Sequence, residues 1–340
     1  MNAHKPILPA MLPTLFLAAS FFGGTGAAQA ASVVASEPVG FVKATIPAAS
    51  VQAPARIGMG LPFTRPSVYF GQIVTAGGSS LKAQAPNWTG AQFAKTPHFV
   101  KIRSGAGAGR TFLISANTGD TLSVDAEGQS LDGLAPPETT FEIFPAHTLE
   151  STFGGVSTPV RLQTGATEAE ADVVRMLGGT QWSSYFHDGT SWRKTGSKDV
   201  QNNVVIRPEQ GVFLVSKSNR GLDVPLGGVV SVKPELTPIP GTGDAFVAMR
   251  FPLANTLAGL QIQGLPGWKT AAAASQADKV MLWNGASWNI YYHTGANWEQ
   301  VGSFANQNTA PVPVGGAFLL RRVGSTGASL LPSAVPFAYP

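Results

Sequence analysis

Slid along itself by 106 positions, the sequence meets a copy of its own text. ADVVRMLGGTQWSSYFHDGTSWRKTGS (171–197) lies over ADKVMLWNGASWNIYYHTGANWEQVGS (277–303) without a gap. The matches include Ala171/Ala277, Asp172/Asp278, Val174/Val280, Trp182/Trp288, Tyr185/Tyr291, His187/His293, Gly189/Gly295 and Trp192/Trp298. Self-similarity at a fixed offset restricts the chain to folds that build one unit, of about a hundred residues here, more than once. Downstream, PEQGVFLV (208–215) meets PVGGAFLL (313–320) after a one-residue slip. Upstream, FEIFPAHTL (141–149) resembles VAMRFPLANTL (247–257). Two copies are therefore expected at 137–236 and 245–340, with the Pro/Gly-rich PELTPIPGTGD (234–244) as linker or long turn. Residues 31–136 are either a worn third copy or a separate β region. GFVKATIPAAS and GRTFLISANTG resemble the later units, but the Trp–Tyr–His–Trp series is missing.

Within the units, short runs such as HFVKIRS, RTFLISA, TLSVDA, VVIRP and VFLVSKS alternate apolar and polar residues between Gly, Asn or Pro. Alternation of that period marks half-buried antiparallel strands. The expected class is all-β, with repeated antiparallel sandwich or barrel-like units. ATEAEADVVRM and AAAASQADKVM are expected to add one or two helical turns each.

The first thirty residues set the expected compartment. Lys5 precedes an apolar run from Ile7 to Phe22, and Ala28 and Ala30 flank Gln29 ahead of Ala31. This is the charged, apolar and small-residue series of a secretory signal peptide, assigned here to 1–30. The run is too short for a stable membrane span. With no cysteine anywhere in 340 residues, disulfides, thiolate nucleophiles and Cys-ligated metals are excluded. The +4 formal charge is spread along the chain, so no basic stripe for nucleic acid is expected.

The repeated aromatic text is the candidate ligand-binding site: Trp182, Tyr185, His187 and Trp192 in one copy, Trp288, Tyr291, His293 and Trp298 in the other. If Asp188-Gly189 is a two-residue turn, Tyr185 faces Trp192 and His187 faces Thr190 on one side of the sheet. Trp182 and Phe186 then point to the other side, since side chains alternate along a strand. Exposed rings could receive the apolar faces of sugars. Alternatively the rings fill the core of a small β unit without disulfides, and aromatics on both faces favour this second reading. No catalytic set is recognisable. The sequence has no H-E-x-x-H, no G-x-S-x-G elbow and no calcium loop, and HDG against HTG leaves the histidines without a carboxylate kept in both copies. No metal site and no cofactor are expected.

EPVGFVKATIP, GLPFTRP (60–66), SGAGAGRTFLISANTGDTLSVD (104–125) and FEIFPAHTLESTFG (141–154), followed by ADVV, form an ordered series. In it the chain resembles a paralogous family of exported, uncharacterised proteins of Verrucomicrobia-type bacteria. That resemblance implies a secreted or cell-envelope protein and brings no catalytic residues with it. The expected function is a non-catalytic structural or binding module, with polysaccharide or another envelope protein as partner. The alternatives are a secreted polysaccharide-active enzyme with an unrecognised site and an outer-membrane β-barrel.

Overall fold

The computed structural model describes residues 37–50, 53–134, 138–154, 160, 162–324 and 327–336. The expected signal peptide lies outside them. The chain is all-β, and three bodies account for all of its described strands. The first lobe starts with β1 (Val39–Ile46) and β2 (Ala55–Met59). The chain then leaves to form a closed barrel of β3 (Tyr69–Gly77), β4 (Ser80–Ala83), β5 (His98–Ile102), β6 (Thr111–Asn117), β7 (Thr121–Asp125) and β8 (Thr140–Pro145). It returns to the first lobe with β9 (His147–Thr148), α1 (Leu149–Phe153), β10 (Val173–Gly178), β11 (Gln181–His187), β12 (Trp192–Lys194), β13 (Val205–Ile206), β14 (Val212–Ser216) and β15 (Leu222–Val229). The second lobe comprises β16 (Glu235–Ile239), β17 (Gly243–Ala248), β18 (Asn255–Thr256), β19 (Lys279–Trp283), β20 (Trp288–His293), β21 (Trp298–Gln300), β22 (Pro311–Val312), β23 (Ala317–Arg322) and β24 (Ser329–Ser333).

The same pairings recur in both lobes. Sheet β12-β11-β10-β14-β2 corresponds to β21-β20-β19-β23-β17, ribbon β1–β15 to β16–β24, and ribbon β9–β13 to β18–β22. This pairing cuts across the boundaries expected from sequence. β1 and β2, expected in a worn third copy or a separate N-terminal β region, supply the front of the first lobe, and the barrel is inserted between β2 and β9. Six residues make the same connection in the second lobe, from β17 to β18. The expected linker contains strand β16: Glu235, Thr237 and Ile239 point inward, and Pro238 faces outward in a ribbon only two strands wide. The one-residue slip also disappears. Val174 pairs with Leu214 and Val280 with Leu320, which keeps the offset at 106. The two acidic or Ala-rich segments form turns before β10 and β19, not helix. The helix that does form, α1, is set by a capping box in which the Thr148 and Ser151 side chains each accept from the other's backbone amide.

A buried aspartate holds each lobe. Asp172 accepts from the Gln163 amide at 2.8 Å, the Lys217 amide at 2.7 Å and the Ser216 hydroxyl at 3.1 Å. Asp278 accepts from the equivalent amides of Lys269 (2.9 Å) and Val323 (2.8 Å). There Arg322 replaces Ser216, donating to Asp278 at 2.7 Å with both side chains fully buried. Each carboxylate thus ties the loop before the sheet to the end of β14 or β23, the strand beside the middle one.

The lobes contact each other reciprocally. Met59 of the first lobe bridges Gly316 of the second, and Gln210 of the first bridges Val247 of the second. At the common registers Met59 is equivalent to Val247 and Gln210 to Gly316. Such an exchange is an isologous contact inside one chain. Glycine is required where the backbones approach: a Cβ on Gly211 would stand 2.6 Å from the Ala317 Cβ. Between the two sheets lie Val173, Leu177, Phe213, Val215, Phe246, Met281, Ala317 and Leu319.

The barrel is filled by its own side chains, among them Ile73, Leu81, Val100, Phe112, Leu122 and Ile143. It is fastened to the second lobe by a buried ionic cluster. Lys101 of β5 bonds Glu235 and lies 3.7 Å from Glu142 of β8, while Arg250 donates to Glu235 at 2.6 Å. Burial opposes ionisation of Glu235, but Arg250 and Lys101 prevail and hold it at about 2. Beside the cluster, the Leu236 amide donates to the Gly109 carbonyl at 3.0 Å.

Replacing Asp278 by alanine strands the buried Arg322 guanidinium and should cost about 3–5 kcal/mol. Asp172→Ala frees only neutral donors and should cost about 1–3 kcal/mol. Urea unfolding midpoints of both variants against the parent protein check the order; an equal or reversed order contradicts it.

Candidate functional site

The repeated hairpin joins β11 to β12, and β20 to β21, through four residues rather than two. His187 faces Trp192 and Tyr185 faces Lys194; in the second lobe His293 faces Trp298 and Tyr291 faces Gln300. The expected partners are therefore displaced by two positions, which leaves every side chain on its expected face. The reason lies in the turn. The Asp188 carboxylate accepts from the amides of Thr190 and Ser191, both at 2.8 Å, and the Asp188 amide donates to the Ser191 carbonyl at 3.0 Å. In the other copy the Thr294 hydroxyl accepts from the Ala296 and Asn297 amides at 3.3 and 3.1 Å. Aspartate and threonine, different in sequence, do the same work here, because either side-chain oxygen closes the loop. Gly189 and Gly295 sit at φ +99° and +106°, where a side chain would strain the backbone.

The histidines belong to this turn. The Gly189 amide donates to His187 Nδ1 and the Gly295 amide to His293 Nδ1, both at 3.1 Å. The acceptor role keeps Nδ1 unprotonated, so a neutral ring carries its proton on Nε2. Each ring then meets the facing tryptophan edge to face, with centroids 5.7 Å apart for His187–Trp192 and 5.3 Å for His293–Trp298. Trp192 and Trp298 are 0% exposed, Tyr185 and Tyr291 are buried with them, and both histidines are buried. The Trp192 and Trp298 amides donate to the Asn202 and Asn308 side chains. Trp192 Nε1 donates to the Gly154 carbonyl at 2.9 Å. These six residues form lobe core and turn. The two histidines lie in separate lobes and do not meet.

Trp182 and Trp288 behave differently. They point away from the lobe cores toward the seam between the lobes, where Trp182 is 41% exposed. A groove of about 360 Å³ opens there, lined by Arg175, Trp182, Phe213, Asp244, Met281, Trp288, Leu319 and Arg321. Six of these are equivalent pairs: Trp182 with Trp288, Arg175 with Met281, Phe213 with Leu319. The groove thus straddles the axis of the reciprocal contact, and its aromatic ends are copies of one residue. Trp288 stacks on Phe213 with centroids 5.7 Å apart, and Trp182 packs against Phe246 at 5.4 Å. The charges are unequal on the two sides. Arg321 holds Asp244 by two bonds of 2.8 Å, and on the opposite side Arg175 makes a single long bond of 3.4 Å to Glu168.

Sequence reasoning found the two tryptophans but missed the remainder of the groove, because Phe213, Asp244 and Arg321 enter it from strands that no periodicity links to the hairpin. Among the described residues no three or more His, Asp or Glu side chains gather closely enough to hold a metal. No protein-family model matches the chain, and no curated protein or solved structure shows significant similarity to it.

Burial lowers the pKa of His293 below the usual 6.5. The unfolded chain therefore takes up the proton first as pH falls, so this histidine's contribution to stability is complete above pH 6.5 and is lost below it. Protonation would also remove the acceptor that holds the Gly295 amide. His293→Gln should show a smaller loss of melting temperature than the parent protein between pH 7 and 5.5. Parallel losses would contradict the role given to the ring.

Proposed function

We propose that the chain is an exported, non-catalytic binding module of the bacterial cell surface or its surroundings, and that it holds polysaccharide in the groove between the lobes. The observation that carries this reading is the convergence of Trp182 and Trp288 on one open groove beside charged groups. A pyranose ring offers an apolar C–H face to an indole and hydroxyls to its rim, and indoles combine a large apolar face with a polar handle. Arg175, Arg321 and Asp244 supply donors and acceptors at that rim. The secretory pattern of residues 1–30, and the resemblance to exported Verrucomicrobia-type proteins, support the location.

The enzyme alternative gains little from the same residues. Glycoside hydrolysis by the usual route needs two carboxyl groups flanking the bond. Among the described residues Asp244 is the one carboxylate lining this groove, and Arg321 already occupies both its oxygens. His187 and His293 spend Nδ1 on their turns. The outer-membrane alternative is opposed by the six-stranded barrel, whose large apolar residues point inward and whose strands run four to nine residues. Membrane barrels have at least eight strands and a polar interior. Among the described residues no helix is long and apolar enough to cross a membrane.

Glycan-array and affinity-electrophoresis measurements on the purified protein test the proposal. The parent protein should bind at least one polysaccharide, and Trp182→Ala should weaken that binding about tenfold or more with its melting temperature kept. Retained affinity in this variant, or hydrolysis of the bound glycan, would refute the reading.

A further inference from the structure

A second cavity, of about 390 Å³, lies in the second lobe, between ribbon β16–β24 and the connection that follows β17. Its apolar wall includes Met249, Phe318 and Leu331, and its polar side includes Thr237, Arg250 and Ser333. The first lobe shows what this place looks like as plain core. The two ribbons can be aligned on Ile46 and Ile239, which are both fully buried and both end the first strand of their ribbon. Thr237 then stands where the first lobe has Ala44, and Ser333 where it has Leu226. Leu226 is buried in the first core, with Ala44 packed against that core. Exchanging these for a threonine and a serine removes an isobutyl group and brings in hydroxyls.

The fold uses these polar groups only in part: Arg250 spends one guanidinium nitrogen on Glu235. Thr237 is 1% exposed and Arg250 8% exposed, and neither Thr237 Oγ1 nor Arg250 Nε has a hydrogen-bond partner. Buried donors and acceptors are nearly always satisfied, so two unmet ones beside a single cavity point to a ligand. The charges nearby are balanced. Arg250, Lys101 and Arg207 face Glu235, Glu142 and the buried Glu209, so cations and carboxylates stand in equal number there. Cavities of this size, mostly apolar with a few convergent polar groups, are the usual form of a small-molecule site.

We propose that this cavity binds a medium-chain monocarboxylate, its tail against Met249, Phe318 and Leu331 and its carboxylate toward Arg250 and Thr237. The site is separate from the glycan groove and does not depend on it. Calorimetric titration of the full chain with decanoate tests the assignment. Saturable one-to-one binding is expected, with decanol at least tenfold weaker. Ser333→Leu, which restores the side chain of the first lobe, should abolish binding and keep or raise the melting temperature. Thr237→Val should weaken binding several-fold, and Trp182→Ala should leave it unchanged. Absence of saturable decanoate binding, equal affinity for decanol, or undiminished binding by both cavity variants would overturn the proposal.

Discussion

Two buried carboxylates organise the two lobes of this chain. Asp172 and Asp278 each bind one backbone amide nine residues upstream and another forty-five residues downstream. A disulfide can do this task in other proteins, but the absence of cysteine forbids it here. A buried carboxylate satisfied by backbone amides gives the same kind of closure, because leaving those amides unmet in a dry interior is costly. The second lobe adds Arg322, whose guanidinium also donates to the Gly267 carbonyl and lies over the Trp268 ring. With the loop fixed to the end of β14 or β23, the aromatic hairpin has a defined wall to close upon, and Trp192 and Trp298 are fully buried.

Closure of each lobe leaves one sheet face uncovered, and the lobes cover those faces with each other. Reciprocal packing makes the seam apolar at its centre, around Phe213 and Phe246, and leaves Trp182 open at its edge. The groove is a consequence of that arrangement: two copies of one aromatic position meet because the lobes are related as partners in a symmetric pair. The lobes have diverged where the contact allows it. One received a whole barrel between β2 and β9, a connection at the surface where long insertions are tolerated. The other carries Thr237 and Ser333 where the first has Ala44 and Leu226, beside a cavity, and its Glu235 and Arg250 form the ionic anchor for the barrel.

The β class, the paired cores and the faces of Trp182 and Tyr185 were legible because alternation and the 106-residue offset report directly on sheets. The assembly of the first lobe was not. β1 and β2 are separated from their partners by the barrel, and ARIGM shows little identity with its counterpart in β17. The two-residue turn failed because HDG fits several loop lengths, and the selection is made by where Asp188 Oδ1 finds amides. The one-residue slip failed because FLV and FLL look alike as text, whereas the register is fixed by Leu214 and Leu320 facing Val174 and Val280. The groove and the cavity were invisible because each needs side chains from strands far apart in sequence.

The central claim is that the faithfully copied hairpin is scaffold, and that only its outward tryptophans meet solvent at the seam. Limited oxidation of the folded protein with N-bromosuccinimide, followed by peptide mapping, measures this residue by residue. Trp182 should react first, with Trp192 and Trp298 protected until the protein unfolds. Oxidation of Trp192 or Trp298 in the folded protein as fast as Trp182 would contradict it.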